Sequence, residues 1–226
     1  MDVLQEQIAY YRARAAEYDQ WWLRQGRFDR GAAANAEWFA EVDHLHAALA
    51  EFAPRGHILE LACGTGLWSR ELARDAETLT LVDSAPEVLA INAQRVQHPR
   101  LERIQADLFT WRPTTMRYDT VFFSFWLSHV PPAGFERFWS LVGDCLAPGG
   151  RVFFIDSLDD GRATARDQTA PTRRRLNDGR EFSIVKIYYE AADLQARLER
   201  LGWQARVAAT PHYFLFGSAA AMPRTL

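Results

Sequence analysis

Three acids, two glycines and one histidine carry the chemistry of this sequence. Glu60 lies inside the apolar run Ile58-Leu-Glu-Leu-Ala62, which leads into Cys63-Gly-Thr-Gly66 and a helix start. Asp83 and Asp107 each end a later apolar run. A buried strand that closes in a glycine turn at a helix N-terminus is a ligand-binding arrangement of open α/β sheets. The glycines let a ligand touch backbone, and the helix presents free N–H groups. Asp83 follows Gly66 by 17 residues, a spacing at which a carboxylate accepts both hydroxyls of a ribose. Asp107, at the next strand end, suits the exocyclic amine of adenine. Glu60 either orients the loop or helps to hold a cationic amino group.

A dinucleotide site is the obvious competitor, and two residues speak against it. Its fingerprint needs a third glycine three residues after Gly66, and Ser69 stands there. A diphosphate at this turn also lies close to Glu60, and like charges repel. A nucleoside-like cofactor with a positive centre and no phosphate fits better.

His129, in Ser124-Phe-Trp-Leu-Ser-His-Val-Pro131, is the candidate general base. Neutral imidazole takes a proton from a hydroxyl or amine near pH 7. The alternative is that it ties down the loop before Pro131-Pro132. No metal-ligand spacing occurs among the six histidines and two cysteines.

The elements that must position these groups follow from periodicity. Leu4, Ile8, Tyr11, Ala15, Tyr18 and Trp22 share one face of a helix over 3–22, with Arg12, Arg14, Glu17 and Asp19 pointing elsewhere. Asn35 caps a second helix with Trp38, Val42, Leu45, Leu49 and Phe52 on its buried face. Strands are predicted at 57–62, 78–82, 101–106, 118–123 and 151–155. Helices lie between them at 68–74, 86–97 and from Pro131-Pro132 to Leu146, and Pro148-Gly149-Gly150 makes a turn. That alternation predicts an α/β fold with a doubly wound, mostly parallel sheet. Residues 158–181 hold six arginines and few large apolar residues and read as a mobile, solvated flap; the alternative is that these arginines attract an acidic group of a substrate. A strand over 182–189, a helix over 193–201 and an antiparallel pair at 203–208 and 213–216 complete the chain.

The chain of 226 residues suits one domain. It divides into an N-terminal helical cap or lid (1–53), a cofactor-binding core (54–157), the insertion (158–190) and a C-terminal helix with a strand pair (191–226). A net charge of −3 argues against nucleic acid as partner. No apolar run reaches the roughly 18 residues of a membrane span, and no secretory leader is evident. A cytoplasmic monomer or homodimer is expected.

The segment Glu60-Leu-Ala-Cys-Gly-Thr-Gly66, with Asp83, Asp107 and Leu146-Ala-Pro-Gly-Gly-Arg-Val152, resembles the class I S-adenosylmethionine-dependent methyltransferases. The family's loop has glycine where Ala62 stands. The resemblance implies a Rossmann-like seven-stranded sheet with an antiparallel last strand. It implies S-adenosylmethionine as cofactor and S-adenosylhomocysteine as product. It places Ala62, Gly64 and Gly66 near the methionine part, and Asp83 on the ribose with Ser84 and Ala85 beside the adenine. Asp107 and Leu108 fall on the adenine edge, and Ser124 and Phe125 under the sulfonium. The first helix itself reads either as packed on the domain or as a lid that sets Tyr11, Tyr18 and Trp22 over the pocket, with Tyr11 and Tyr18 then expected to bind the cofactor.

The Asn-Pro-Pro or Asp-Pro-Pro motif of nucleobase and protein-amide methylases is absent after the fourth strand. The acceptor is therefore expected to be a small, aromatic or planar metabolite methylated on O or N. Trp22, Trp126, His129, Tyr188 and Tyr213 are expected to line a flat, largely apolar pocket for it. Competing readings are a catalytically silent S-adenosylmethionine-binding module that acts through a partner, and a nicotinamide dehydrogenase.

Overall fold

The computed structural model describes residues 2–113, 117–159, 164–165 and 172–221. Among these, seven strands form one sheet in the order β3-β2-β1-β4-β5-β9-β8, and β6 pairs with β7 in a separate hairpin. The strands are β1 (Gly56–Leu61), β2 (Ala76–Asp83), β3 (Leu101–Gln105), β4 (Tyr118–Ser124) and β5 (Leu146–Ser157), followed by β6 (Arg173–Arg175), β7 (Glu181–Ser183), β8 (Trp203–Ala209) and β9 (Phe214–Ala221). The first five run parallel. The last strand, β9, enters antiparallel between β5 and β8. This is a Rossmann-like sheet with the antiparallel insertion expected from the resemblance.

Buried on both faces, the central strands need apolar residues at every position rather than at alternate ones. β4 illustrates this. Phe122 stacks on Phe153 at 6.2 Å on one face, while Phe123 meets Phe138 at 5.1 Å on the other. The first face is covered by α3 (Ala32–Phe52), α4 (Ser69–Leu72) and α5 (Pro86–Arg95). The second lies under α6 (Phe135–Cys145) and α7 (Ala191–Arg200). On α3, Trp38, Val42, Leu45, Leu49 and Phe52 are all buried, as their spacing predicts.

Several local expectations are corrected. Asn35 is not the cap of α3. The helix begins at Ala32, and the Asn35 side chain reaches back, accepting from Arg30 N at 3.2 Å and donating to Asp29 at 2.7 Å. The Pro148–Gly150 turn lies within β5, as a register shift against β4. The helix opened by Pro131-Pro132 begins with a short 3-10 turn before α6. Of the predicted 182–189 strand only Phe182 and Ser183 are paired, as part of β7. Arg162, Arg166, Asp160 and Asp167 of the insertion lie outside the described residues.

The first helix divides into α1 (Val3–Arg14) and α2 (Tyr18–Trp22), joined by a 3-10 turn. Its buried residues in α1 are Gln7, Tyr10 and Arg14, not the apolar stripe. The stripe residues Ile8, Tyr11 and Tyr18 face a cleft instead. Two ion pairs hold the segment down, Arg12 to Glu87 at 2.7 Å and Asp19 to Arg95 at 2.5 Å. The second is the more shielded, and Thr65 of the glycine turn also donates to Asp19 at 2.6 Å.

Candidate functional site: two clefts at the strand ends

The carboxyl ends of β1 to β5 open on one edge of the sheet, where doubly wound folds bind ligands. After β1 the chain turns through Ala62, Gly64 and Gly66 at φ of 53°, 56° and 88°. These angles favour glycine, and Ala62 occupies its position under strain. The turn is fixed by Asp83. One oxygen accepts from Gly64 N at 3.0 Å and the other from Ala85 N at 2.9 Å. A carboxylate oxygen has a second lone pair, so Asp83 keeps acceptor capacity toward a ligand. Burial raises its pKa, and the backbone hydrogen bonds work the other way. Asp107 caps the next turn, accepting from Phe109 N at 2.9 Å.

Between these ends lies a cleft of about 660 Å³, open space at its mouth included. Ala62, Gly64, Asp83, Ser84, Asp107, Leu108, Ser124 and Phe125 line it, roofed by Gln7, Ile8, Tyr11 and Tyr18. Its lining holds two carboxylates and, among the described residues, no Lys, Arg or His. A diphosphate would meet two carboxylates and no cationic side chain among the described residues, whereas a positively charged nucleoside is attracted. The residues fit a nucleoside sulfonium on this ground alone.

Glu60 and Gly66 are drawn together but do not line the cleft. Glu60 is 1% exposed and accepts from Ser69 Oγ at 2.5 Å. Asn92 donates to Ser69 Oγ at 3.3 Å, and Arg103 donates to Asn92 Oδ1 at 3.0 Å. Of the two roles open to Glu60, orientation of the loop matches this network. Gly66 faces Asn92 and Val96 beneath the turn.

Burial pushes the Glu60 carboxyl from 4.5 up to about 8; the Ser69 hydrogen bond opposes this and Asp83 adds to it. The folded state therefore holds a proton that the unfolded chain has lost above about 4.5. Between that pH and about 8, unfolding free energy should fall by up to about 1.4 kcal/mol per pH unit from this group and level off above. Glu60→Gln should remove that slope. Denaturant unfolding of both proteins at pH 5 and pH 8 checks it; parallel pH profiles would contradict a protonated Glu60.

A second cleft, of about 710 Å³ with its mouth, adjoins the first across Tyr11, Tyr18 and Phe125. Of the five residues named as acceptor candidates, His129 and Tyr188 line it. It also holds residues that periodicity did not single out: Arg14, Arg27, Arg174, Arg175 and Lys186. It is therefore cationic rather than largely apolar. The imidazole of His129 is held from both sides. Val185 O can only accept, so Nδ1 carries the hydrogen at 2.7 Å, and Nε2 accepts from Tyr11 Oη at 2.7 Å. Burial holds its pKa well below the usual value, and Lys186, Arg174 and Arg14 add to this.

Three acceptor candidates lie elsewhere. Tyr213 is fully buried against Trp38, with ring centroids 5.0 Å apart. Trp22 packs on Trp38 and Trp68 and borders only a smaller cavity behind the glycine turn. Trp126 lines the first cleft, not the second. An aromatic near a strand end packs into the core as readily as into a pocket, and sequence spacing does not separate the two.

Sheet order, glycine turn and acids at successive strand ends define an α/β nucleoside-cofactor protein. Comparison with known proteins narrows this. A methyltransferase-domain family matches residues 58–150. The chain is 37% identical to the protein of a solved DhpI–SAH complex, covering 98% of each chain with a TM-score of 0.77. A DhpI–SAM–HEP complex matches at the same identity and TM-score, over 96% of this chain and 97% of that one. The ubiquinone biosynthesis O-methyltransferase of Xylella fastidiosa is 33% identical over 104 residues; the match spans 42% of this chain and 39% of that protein's length. The chain belongs to the S-adenosylmethionine-dependent methyltransferases.

Proposed function

We propose that this enzyme transfers the S-adenosylmethionine methyl group to an O or N atom of a small acceptor seated in the second cleft. The observation that carries this is the pairing of two clefts of opposite charge character across Tyr11, Tyr18 and Phe125. When bound, the cofactor supplies a methyl group on a sulfonium, open to in-line displacement.

In this proposal Asp83 accepts the ribose hydroxyls and Asp107 the adenine amine. Gly64 lets the ligand approach backbone, and Leu108, Phe109, Val88 and Trp126 form apolar walls. Phe125 lies where the two clefts meet, and Ser124 beside it lines the first. Phe125 has φ 54° and donates its N–H to Ile155 O at 2.8 Å, which fixes that corner. Tyr10, Tyr11, Trp21, Phe28 and Tyr188 offer flat faces to a planar acceptor. Placement of acceptor against sulfonium supplies most of the rate enhancement this reaction needs. Tyr11 and Tyr18 border both clefts, and of the two Tyr11 has His129 behind it as acceptor of its hydroxyl hydrogen. A proton leaving the acceptor group thus reaches His129 by way of Tyr11. We assign α1 and α2 the role of lid, and the cytoplasm as location, where the free thiols of Cys63 and Cys145 stay reduced.

The test uses S-adenosylmethionine labelled on its methyl group, incubated with the protein and a fractionated small-metabolite extract. Label is expected in a small-molecule fraction, and Tyr11→Phe should slow its appearance. Label recovered in no fraction, from a protein that binds the cofactor, would instead favour a silent binding module.

A further inference from the structure

Building on that proposed acceptor cleft, we infer that it selects acceptors carrying an oxyanion, held by Arg14, Arg174 and Lys186 beside the Tyr11–His129 pair. The group is a carboxylate or a phosphoryl-type anion. Five cationic side chains line this cleft, and among the described residues no Asp or Glu does. The cofactor cleft next to it has the opposite lining.

Arg14 is the clearest case. It is 9% exposed, on the inward face of α1. Its guanidinium carbon lies over Tyr18 at 4.9 Å and over Tyr10 and Phe28 at 5.6 and 5.8 Å. Burial works against its charge, and a hydrogen bond to Tyr10 supports it. Buried guanidinium groups ordinarily face a carboxylate, because an uncompensated charge in low dielectric is costly. Here aromatic faces supply the attraction, and the open side is the cleft.

Lys186 reaches the cleft from the extended segment after β7, with a side chain 6% exposed. It donates to Ser128 Oγ at 2.8 Å and lies 3.6 Å from Asp156 Oδ1. Asp156 sits beneath the cleft floor, already accepting from Ser128 N at 2.8 Å and Ser157 N at 2.7 Å. Arg174 enters from β6. The three cations come from three separate elements, and all three depress the single imidazole of His129. Burial, then Arg174, also lowers the Lys186 ammonium to about 8, against the pull of Asp156 and, more weakly, of Asp159. Like charges gathered at this density repel, and an anion between them relieves the repulsion. The same arrangement sorts the two ligands. The sulfonium is drawn to Asp83 and Asp107, and the acceptor's anion to the opposite cleft.

The test is calorimetric, on the full chain saturated with S-adenosylhomocysteine at pH 7 and low salt. Benzoate, inorganic phosphate and neutral benzamide are the titrants. At least one anion should bind about tenfold or more tightly than benzamide, the ratio expected for charge-assisted hydrogen bonds. Benzoate alone would identify a carboxylate site, phosphate alone a phosphoryl site. Arg174→Gln, on the half-exposed hairpin, should weaken the anion about tenfold and leave S-adenosylhomocysteine affinity unchanged. Arg14→Gln should act in the same direction. Anions that bind no better than benzamide, or that ignore both substitutions while S-adenosylhomocysteine binds normally, overturn the oxyanion site alone. A protein that does not bind S-adenosylhomocysteine overturns the methyl-transfer proposal, and this site with it.

Discussion

Asp83→Ala should weaken S-adenosylhomocysteine binding by about a hundredfold or more while the protein stays folded. Two causes act together. The substitution removes a carboxylate placed to accept two ribose hydroxyls, each charge-assisted hydrogen bond contributing about 1.5 kcal/mol or more. It also frees the N–H groups of Gly64 and Ala85, which Asp83 holds at 3.0 and 2.9 Å. The glycine turn then loses the tether that keeps it against β2. Stability should suffer less than affinity, because Asp83 borders an open cleft and water can replace the lost acceptor. Asp83→Asn should be intermediate, since an amide offers one acceptor oxygen where two backbone donors wait. Calorimetric titration gives the affinity and thermal unfolding the fold. Unchanged affinity would remove Asp83 from the cofactor site.

Gly66→Ala and Gly64→Ala should separate folding from binding within three residues. Gly66 has φ 88°, and a Cβ there would stand 2.8 Å from Val96 Cγ2 and 2.9 Å from Asn92 Nδ2. Backbone strain and a steric clash therefore coincide. Asn92 cannot retreat freely, because it also binds Ser69 and Arg103. A loss of about 3 kcal/mol or more is expected, the sum of a left-handed alanine and an overpacked contact. Gly64 has φ 56° with nothing within 4 Å of an added Cβ. Gly64→Ala should cost only about 1–2 kcal/mol in stability, yet impair cofactor affinity because Gly64 lines the cleft. Denaturant unfolding with parallel titrations reads both. Equal stability for the two variants would contradict the packing beneath the turn.

Much of this was legible in the sequence because the sheet is doubly buried. Leu59, Leu61, Val121, Phe123, Val152 and Phe154 fill one face and Ile58, Phe122, Phe153 and Ile155 the other, so unbroken apolar runs marked the strands. Acids at strand ends stand out against such runs, and Asp83 and Asp107 do line the cleft. Glu60 stood out equally, but its side chain turns down to Ser69 instead. A strand alternates faces, and the sequence does not say which face a terminal acid takes.

The second cleft was the least legible part. Arg14 lies off the apolar stripe of the first helix, yet Tyr10, Tyr18 and Phe28 bury it. Lys186 sits in an alternating run that reads as a strand, yet most of that run is unpaired and packs on α1 through Gln7, whose Oε1 accepts from Val185 N at 3.0 Å. The Lys186 segment depends on a contact across 178 residues of chain and Arg14 on aromatic neighbours within the first 28 residues; apolar periodicity encodes neither.

The central claim is that the acid-lined cleft holds a phosphate-free sulfonium nucleoside. Calorimetric titration of the unmodified protein with S-adenosylhomocysteine and, separately, with NAD tests it most directly. Saturable binding of S-adenosylhomocysteine with no heat from NAD is the predicted result. Binding of NAD without S-adenosylhomocysteine would contradict it.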